Sequence, residues 1–188
     1  MSKTNGKPSI YFSKTRFKSP AGIAKFPALV EPDVFKGGEP TFKITVMFDR
    51  NDPEFKQLQS DITAFAAEFS KECGKTINAD AVFRADKLTG DPCIVFKSKA
   101  RRDDNGVYVP IPCVDSNKTS CDTAQTNDRV RVAFSLGGWE SAFGAGIKPY
   151  LVAVQVMERN AVSKGSGFNA TDVFDDVGPG IKADEIPF

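Results

Sequence analysis

Residues 41–48, Thr-Phe-Lys-Ile-Thr-Val-Met-Phe, alternate strictly between apolar and mostly polar positions, placing Phe42, Ile44, Val46 and Phe48 on one face. A side-chain period of two predicts a half-buried strand. The period then lengthens. Phe55, Leu58, Ile62, Phe65 and Phe69 recur at three- and four-residue spacing, which draws one apolar stripe on a helix. Asp52 suits the N-cap of that helix, Pro53 its first position and Gly74 the position just past its end.

Elsewhere the pattern predicts short strands separated by turns. Residues 9–19 and 94–99 read as extended. Asp103-Asp104-Asn105-Gly106 carries the Asn-Gly signal of a hairpin turn, and 107–114 returns from it. Pro110 and Pro112 push that return segment to a sheet edge. Residues 128–136 and 148–159 complete the strands, with Gly137-Gly138 and Gly144-Ala145-Gly146 expected between them. Many short strands with one helix predict a mainly β fold, a small barrel or sandwich. From about Ala161 the periodicity stops. The expected organisation is a folded domain over 1–162 and a disordered, flexible acidic tail over 163–188.

Composition narrows the chemistry. The 188 residues contain no histidine, which removes Ser-His-Asp and Cys-His catalysis and His-ligated metal sites. Four cysteines, at 73, 93, 113 and 121, have spacings of 20, 20 and 8 that match no common zinc pattern, and read as reduced thiols. Gly74-Lys75-Thr76 looks like the end of a phosphate loop, but the earlier glycine position holds Phe69 and the helix precedes it, so it reads as a helix stop. The acidic pairs Asp103-Asp104 and Asp175-Asp176 sit on a turn and in the tail, poor frames for a metal. No apolar run suits a membrane span or a secretory signal. The expectation is a non-enzymatic protein without metal or cofactor.

Charge is distributed unevenly. Residues 1–30 hold six basic residues and no acidic one, while 169–188 hold five acids against Lys182. The chain as a whole is +1, so the body without those last twenty residues carries +5. A basic body with an acidic tail points to a polyanion ligand. Strand periodicity sets out three basic rows: Lys14, Arg16 and Lys18; Lys97, Lys99 and Arg101, with Arg102 beyond; and Arg129 with Arg131. Any one row could be a solvated strand face or an edge guard. Three together predict a polyanion groove. Of the sixteen phenylalanines, Phe42, Phe48, Phe55, Phe65, Phe69 and Phe134 fall on core stripes. Tyr11, Phe12, Phe17, Tyr108 and Trp139 lie beside cations or glycines, and rings interleaved with Lys and Arg suit unpaired bases.

The last five residues, Asp184-Glu185-Ile186-Pro187-Phe188, resemble the acidic tip of bacterial single-stranded DNA-binding proteins. The body resembles the single-stranded DNA-binding proteins of tailed phages. That resemblance is carried by Phe42-Lys43-Ile44-Thr45-Val46 running into Asn51-Asp52-Pro53, by Val114-Asp115-Ser116, and by 129–136 through Trp139 and Gly144-Ala145-Gly146 to 151–158. It implies an OB-fold barrel elaborated by a helix. It also implies a protein that coats and protects exposed strands in phage DNA replication, recombination and repair, in the cytoplasm of the infected bacterial host. Lys14, Arg16, Lys18, Lys97, Lys99, Arg101, Arg102, Arg129 and Arg131 would neutralise phosphates, and Tyr11, Phe17, Tyr108 and Trp139 would stack on bases. Asp184, Glu185, Ile186, Pro187 and Phe188 would recruit replication proteins such as a DNA polymerase, a helicase/primase or a nuclease. A homodimer is left open, no membrane is involved, and the rival expectation is a structural virion or assembly protein that binds no DNA.

Overall fold

The computed structural model describes residues 9–160, with side chains from residue 16 onward. The tail over 163–188, with its five terminal residues, lies outside the described residues, as do the side chains of Tyr11, Phe12 and Lys14. In chain order the elements are β1 (Ser9–Lys18), β2 (Gly22–Asp33), β3 (Thr41–Met47), α1 (Pro53–Cys73), a 3-10 turn (Ala79–Val82), β4 (Phe83–Ala85), β5 (Pro92–Lys99), β6 (Cys113–Val114), β7 (Arg129–Ser141) and β8 (Gly144–Glu158).

Five of these strands close on themselves. β2 pairs with β3, β3 with β5, β5 with β8, β8 with β7, and β7 returns to β2 through Gly22 opposite Val130. Four pairings are antiparallel; only β5 and β8 run parallel, meeting at Lys97 and Tyr150. β1 lies outside the ring on the distal half of β7, and β4 and β6 are short additions to β5 and β8. Alternation supplies the barrel core. Ala24, Ile44, Val46, Ile94, Phe96, Val130, Val132, Phe134 and Leu136 are fully buried, and the rings of Phe96 and Phe134 meet at 4.9 Å.

The helix has the predicted caps. Asp52 is extended and its carboxylate accepts from the Glu54 N–H at 2.8 Å, while Gly74 takes a left-handed φ of 68° and donates to the Ser70 carbonyl. Gly74-Lys75-Thr76 is therefore a helix stop. Phe55, Leu58, Ile62, Phe65 and Phe69 are all buried, and Phe55 stacks on Phe48 and meets the edge of Phe83.

Two expectations need correction. Gly137-Gly138 and Gly144-Ala145-Gly146 do not separate strands but lie within β7 and β8, which form one long hairpin. Gly138 is required there because a Cβ would lie 2.6 Å from the Phe69 ring, so the helix seats on bare backbone. The return segment 107–114 is strand only at Cys113–Val114. Its two prolines leave it short of donors, and Tyr108 makes an isolated bridge to Arg102. β2 was not anticipated at all. Pro27 and Pro32 interrupt its alternation, and its register to β3 slips after Lys25 and again after Ala28.

Asp128 ties the two ends of the β7–β8 hairpin. It is 0% exposed, and its carboxylate accepts from the Gln125 N–H, the Asn160 N–H and the Arg159 guanidinium at 2.8–2.9 Å. Removing it takes a buried acceptor from two backbone N–H groups and the counter-charge from Arg159. Asp128→Ala should cost about 3 kcal/mol of unfolding free energy, measurable by urea denaturation; a loss within error would show that the tie is not needed.

Cys113 and Cys121 face each other with sulfurs 3.1 Å apart as free thiols. Burial, and secondarily the Cys121 sulfur, push the Cys113 thiol up to about 12 from its usual 9.0. Below pH 9 the thiol is protonated in folded and unfolded chains alike. Above it the unfolded chain ionises first, so this contribution to stability is lost between pH 9 and 12. Cys113→Val should flatten the alkaline fall of the melting temperature relative to wild type, and an unchanged slope would contradict the assignment.

Candidate nucleic-acid interface

The outer face of β3 and β5 is built by the same alternation that fills the core. With Phe42, Ile44 and Val46 inward, Thr41, Lys43 and Thr45 turn outward; with Ile94 and Phe96 inward, Val95, Lys97 and Lys99 do the same. Register aligns these positions into cross-strand rows. One row runs Lys25, Thr45, Val95; the next runs Ala28, Lys43, Lys97, Tyr150; a third joins Thr41 to Lys99. Lys43 and Lys97 are directly opposite each other, a repulsive pairing. Asp33 offsets it by pairing with Lys43, and Glu39 similarly holds Lys99. Lys97 makes no ion pair among the described residues.

Beside Lys97 a cleft of about 480 Å³ opens between β4, β5 and the β7–β8 hairpin. Arg84, Lys97, Lys148, Trp139 and Tyr150 line it together with Asn78 and small or apolar groups, and no acidic side chain does. Trp139 lies opposite Gly146, where a Cβ would come within 3.0 Å of the indole. Glycine thus lets the ring lie down on the neighbouring strand. The Lys148 ammonium sits 5.4 Å from the Trp139 ring centroid, within cation–π range. Burial raises the Tyr150 phenol above its usual 10, so it stays neutral beside these cations. The cleft offers an aromatic floor and three cations: a surface on which a base can stack while its phosphate is neutralised.

Of the cations and rings anticipated from the sequence, Lys97 and Trp139 are brought together here, and Lys99 extends the same face. The others are placed elsewhere. Arg16 and Lys18 are exposed on β1, with Phe17 between them turned inward and stacked on Phe134. Arg101 is exposed beyond the end of β5. Arg102 lies 4.3 Å from the Tyr108 ring centroid and donates to its hydroxyl, so the two satisfy each other. Arg129 lines a shallow hollow with Asp49 and Asp91 and lies opposite Glu158. Arg131 is held by the Glu54 carboxylate at 2.8 Å. Arg84, Lys148, Tyr150 and Lys43 were not singled out from the sequence. Lys43, Lys148 and Tyr150 were readable as outward positions of alternating strands. Arg84 had no signal, since only the pairing of β4 with β5 brings it to the cleft.

A ring of five strands in this order, with a helix between the second and third, is an OB-type barrel; in that class the second and third strands carry the ligand face. No protein-family model matches the sequence, and no curated protein matches it. Solved structures do share the fold. The single-stranded DNA-binding protein gp2.5 encoded by bacteriophage T7 aligns with a TM-score of 0.63 and 18% identity, covering 78% of this chain and 93% of that one. The single-stranded DNA-binding protein of bacteriophage Enc34, solved in complex with single-stranded DNA, aligns with a TM-score of 0.59 and 12% identity over 77% of this chain and 87% of its own. The structure of the Enc34 protein without that qualification covers 89% of this chain and 99% of that one, with a TM-score of 0.59 and 12% identity.

The Trp139 seat is open to a direct check. Gly146→Val should lift the indole off β8 into water, shifting the emission of this sole tryptophan to the red without unfolding the barrel. An unshifted spectrum would mean the ring does not rest on Gly146.

Proposed function

We propose that this protein binds single-stranded DNA without acting on it chemically. The observation that carries the reading is the cleft in which Trp139 and Tyr150 sit among Arg84, Lys97 and Lys148 with no acidic lining. Its position on an OB-type barrel shared with phage single-stranded DNA-binding proteins supports the same reading. Cations along the row neutralise phosphates, and the indole stacks on a base whatever its identity, so affinity should be nearly independent of sequence. A duplex hides its base faces and should bind weakly.

The wider reading extends this activity to coating and protecting strands during phage DNA replication, recombination and repair, in the cytoplasm of an infected bacterium. The domain of residues 1–162 would hold the strand. The acidic segment 163–188, ending in Asp184-Glu185-Ile186-Pro187-Phe188, would recruit replication proteins. Phe188 combines a ring and an α-carboxylate, suited to a pocket flanked by a cation on the partner.

Fluorescence anisotropy with labelled oligo(dT) and with duplex of equal length tests the core of it. The wild type should prefer the single strand strongly, and log K should fall linearly with log salt. Lys97→Ala with Lys148→Ala should reduce the slope by about 1.4, from about 0.7 per lost phosphate contact. Trp139→Ala should cost about 1–3 kcal/mol of binding. Equal affinity for duplex, or no binding of the single strand, would overturn the proposal.

A further inference from the structure

Between Lys25 and Ala28, which pair with outward positions of β3, Phe26 stands out. It is an aromatic residue 73% exposed to water, in the bulge where the β2–β3 register slips between Lys25 and Ala28. Its φ is +48°, a region that bulky side chains rarely enter. It also precedes Pro27, and a following proline steers a residue toward extended backbone. The bulge itself has a cause, because Pro27 cannot donate to the ladder. The ring does not. Glycine or asparagine would take this conformation more easily, and a polar residue would be better solvated. Within the chain, Phe26 gains neither burial nor a ring partner among the described residues.

Its neighbours give the ring a use. Lys25 precedes it in the row with Thr45 and Val95, and Ala28 follows in the row that continues through Lys43 and Lys97 to Tyr150 at the cleft. That second row crosses four adjacent strands, about 14 Å at the ~4.8 Å spacing of paired strands. Lysines occupy its middle and aromatic residues stand near both ends. We infer that Phe26 is a second base-stacking platform, so that a single strand runs across the sheet from the Trp139–Tyr150 cleft, over Lys97 and Lys43, to Phe26. The span accommodates at most about four nucleotides at the ~3.4 Å rise of a stacked strand. The inference rests on single-stranded DNA being the ligand, and adds the path and the far end. The strained backbone then has a function: it stands the ring clear of the barrel surface, where a base can reach it.

The test uses the full chain and an oligo(dT) of about 20 nucleotides, longer than the span. Phe26→Gly removes the ring and relieves the backbone, so it should melt no lower than wild type while binding the oligonucleotide roughly tenfold more weakly. Phe26→Tyr, which keeps a stacking face, should bind like wild type. In a Trp139→Phe background, Phe26→Trp supplies a single emitter at this position, and saturating oligonucleotide should quench it. Wild-type affinity in Phe26→Gly, or emission unchanged at saturation, overturns the platform. If the wild type itself binds no single strand, the failure lies with the ligand and not with Phe26.

Discussion

The ring closes through one parallel contact, Lys97 against Tyr150, between strands that are otherwise partnered on their other sides. That contact turns an open antiparallel sheet into a barrel and gives Phe96 and Phe134 a shared interior. It also sets the site. β8 reaches β5 only near Tyr150, so the strands diverge beyond it and leave the gap that becomes the cleft, with Lys97 at its lip and Trp139 on its floor. Closure and binding surface are two sides of one event.

Ion pairing sets one group of cations apart from those of the cleft. Lys43, Lys75, Lys99, Arg131 and Arg159 are each held by a carboxylate, and most of these pairs are partly exposed, where such pairing contributes little to stability. Its effect is on availability: a phosphate must displace Asp33 to engage Lys43, or Glu39 to engage Lys99. The cations of the cleft have no carboxylate on its walls to displace. Charge alone therefore overstates the basic surface, and in the cleft cations with no carboxylate to displace lie beside Trp139 and Tyr150.

What could be read from the sequence follows from how local each signal is. α1 and β3 were legible down to their caps because period, proline, aspartate and glycine all agree within a few residues. The glycines of the β7–β8 hairpin misled, since the reason for Gly138 is Phe69, far away in sequence on the helix. β2 was hidden because Pro27 and Pro32 break its alternation, and the missed strand carried Lys25 and Phe26 with it. At the site, Lys97 and Trp139 stood out as a cation in an alternating row and an isolated ring. The engagement of Arg131 with Glu54 spans 77 positions, and no periodicity reports it.

The order in which contacts can form follows from the same topology. The β7–β8 hairpin and the capped helix are local and can form early, whereas joining β5 to β8 and β2 to β7 brings together residues some fifty or a hundred positions apart. Contacts of that separation carry the largest loop-closure entropy and dominate the folding time of β-rich chains. A nascent chain that has made only its local elements has helix and hairpin but no cleft. The hairpin alone sets Lys148 over Trp139, but the β4–β5 wall with Arg84 and Lys97 reaches the indole only when the ring shuts, so the polyanion surface is completed last and a partly folded chain presents half a site.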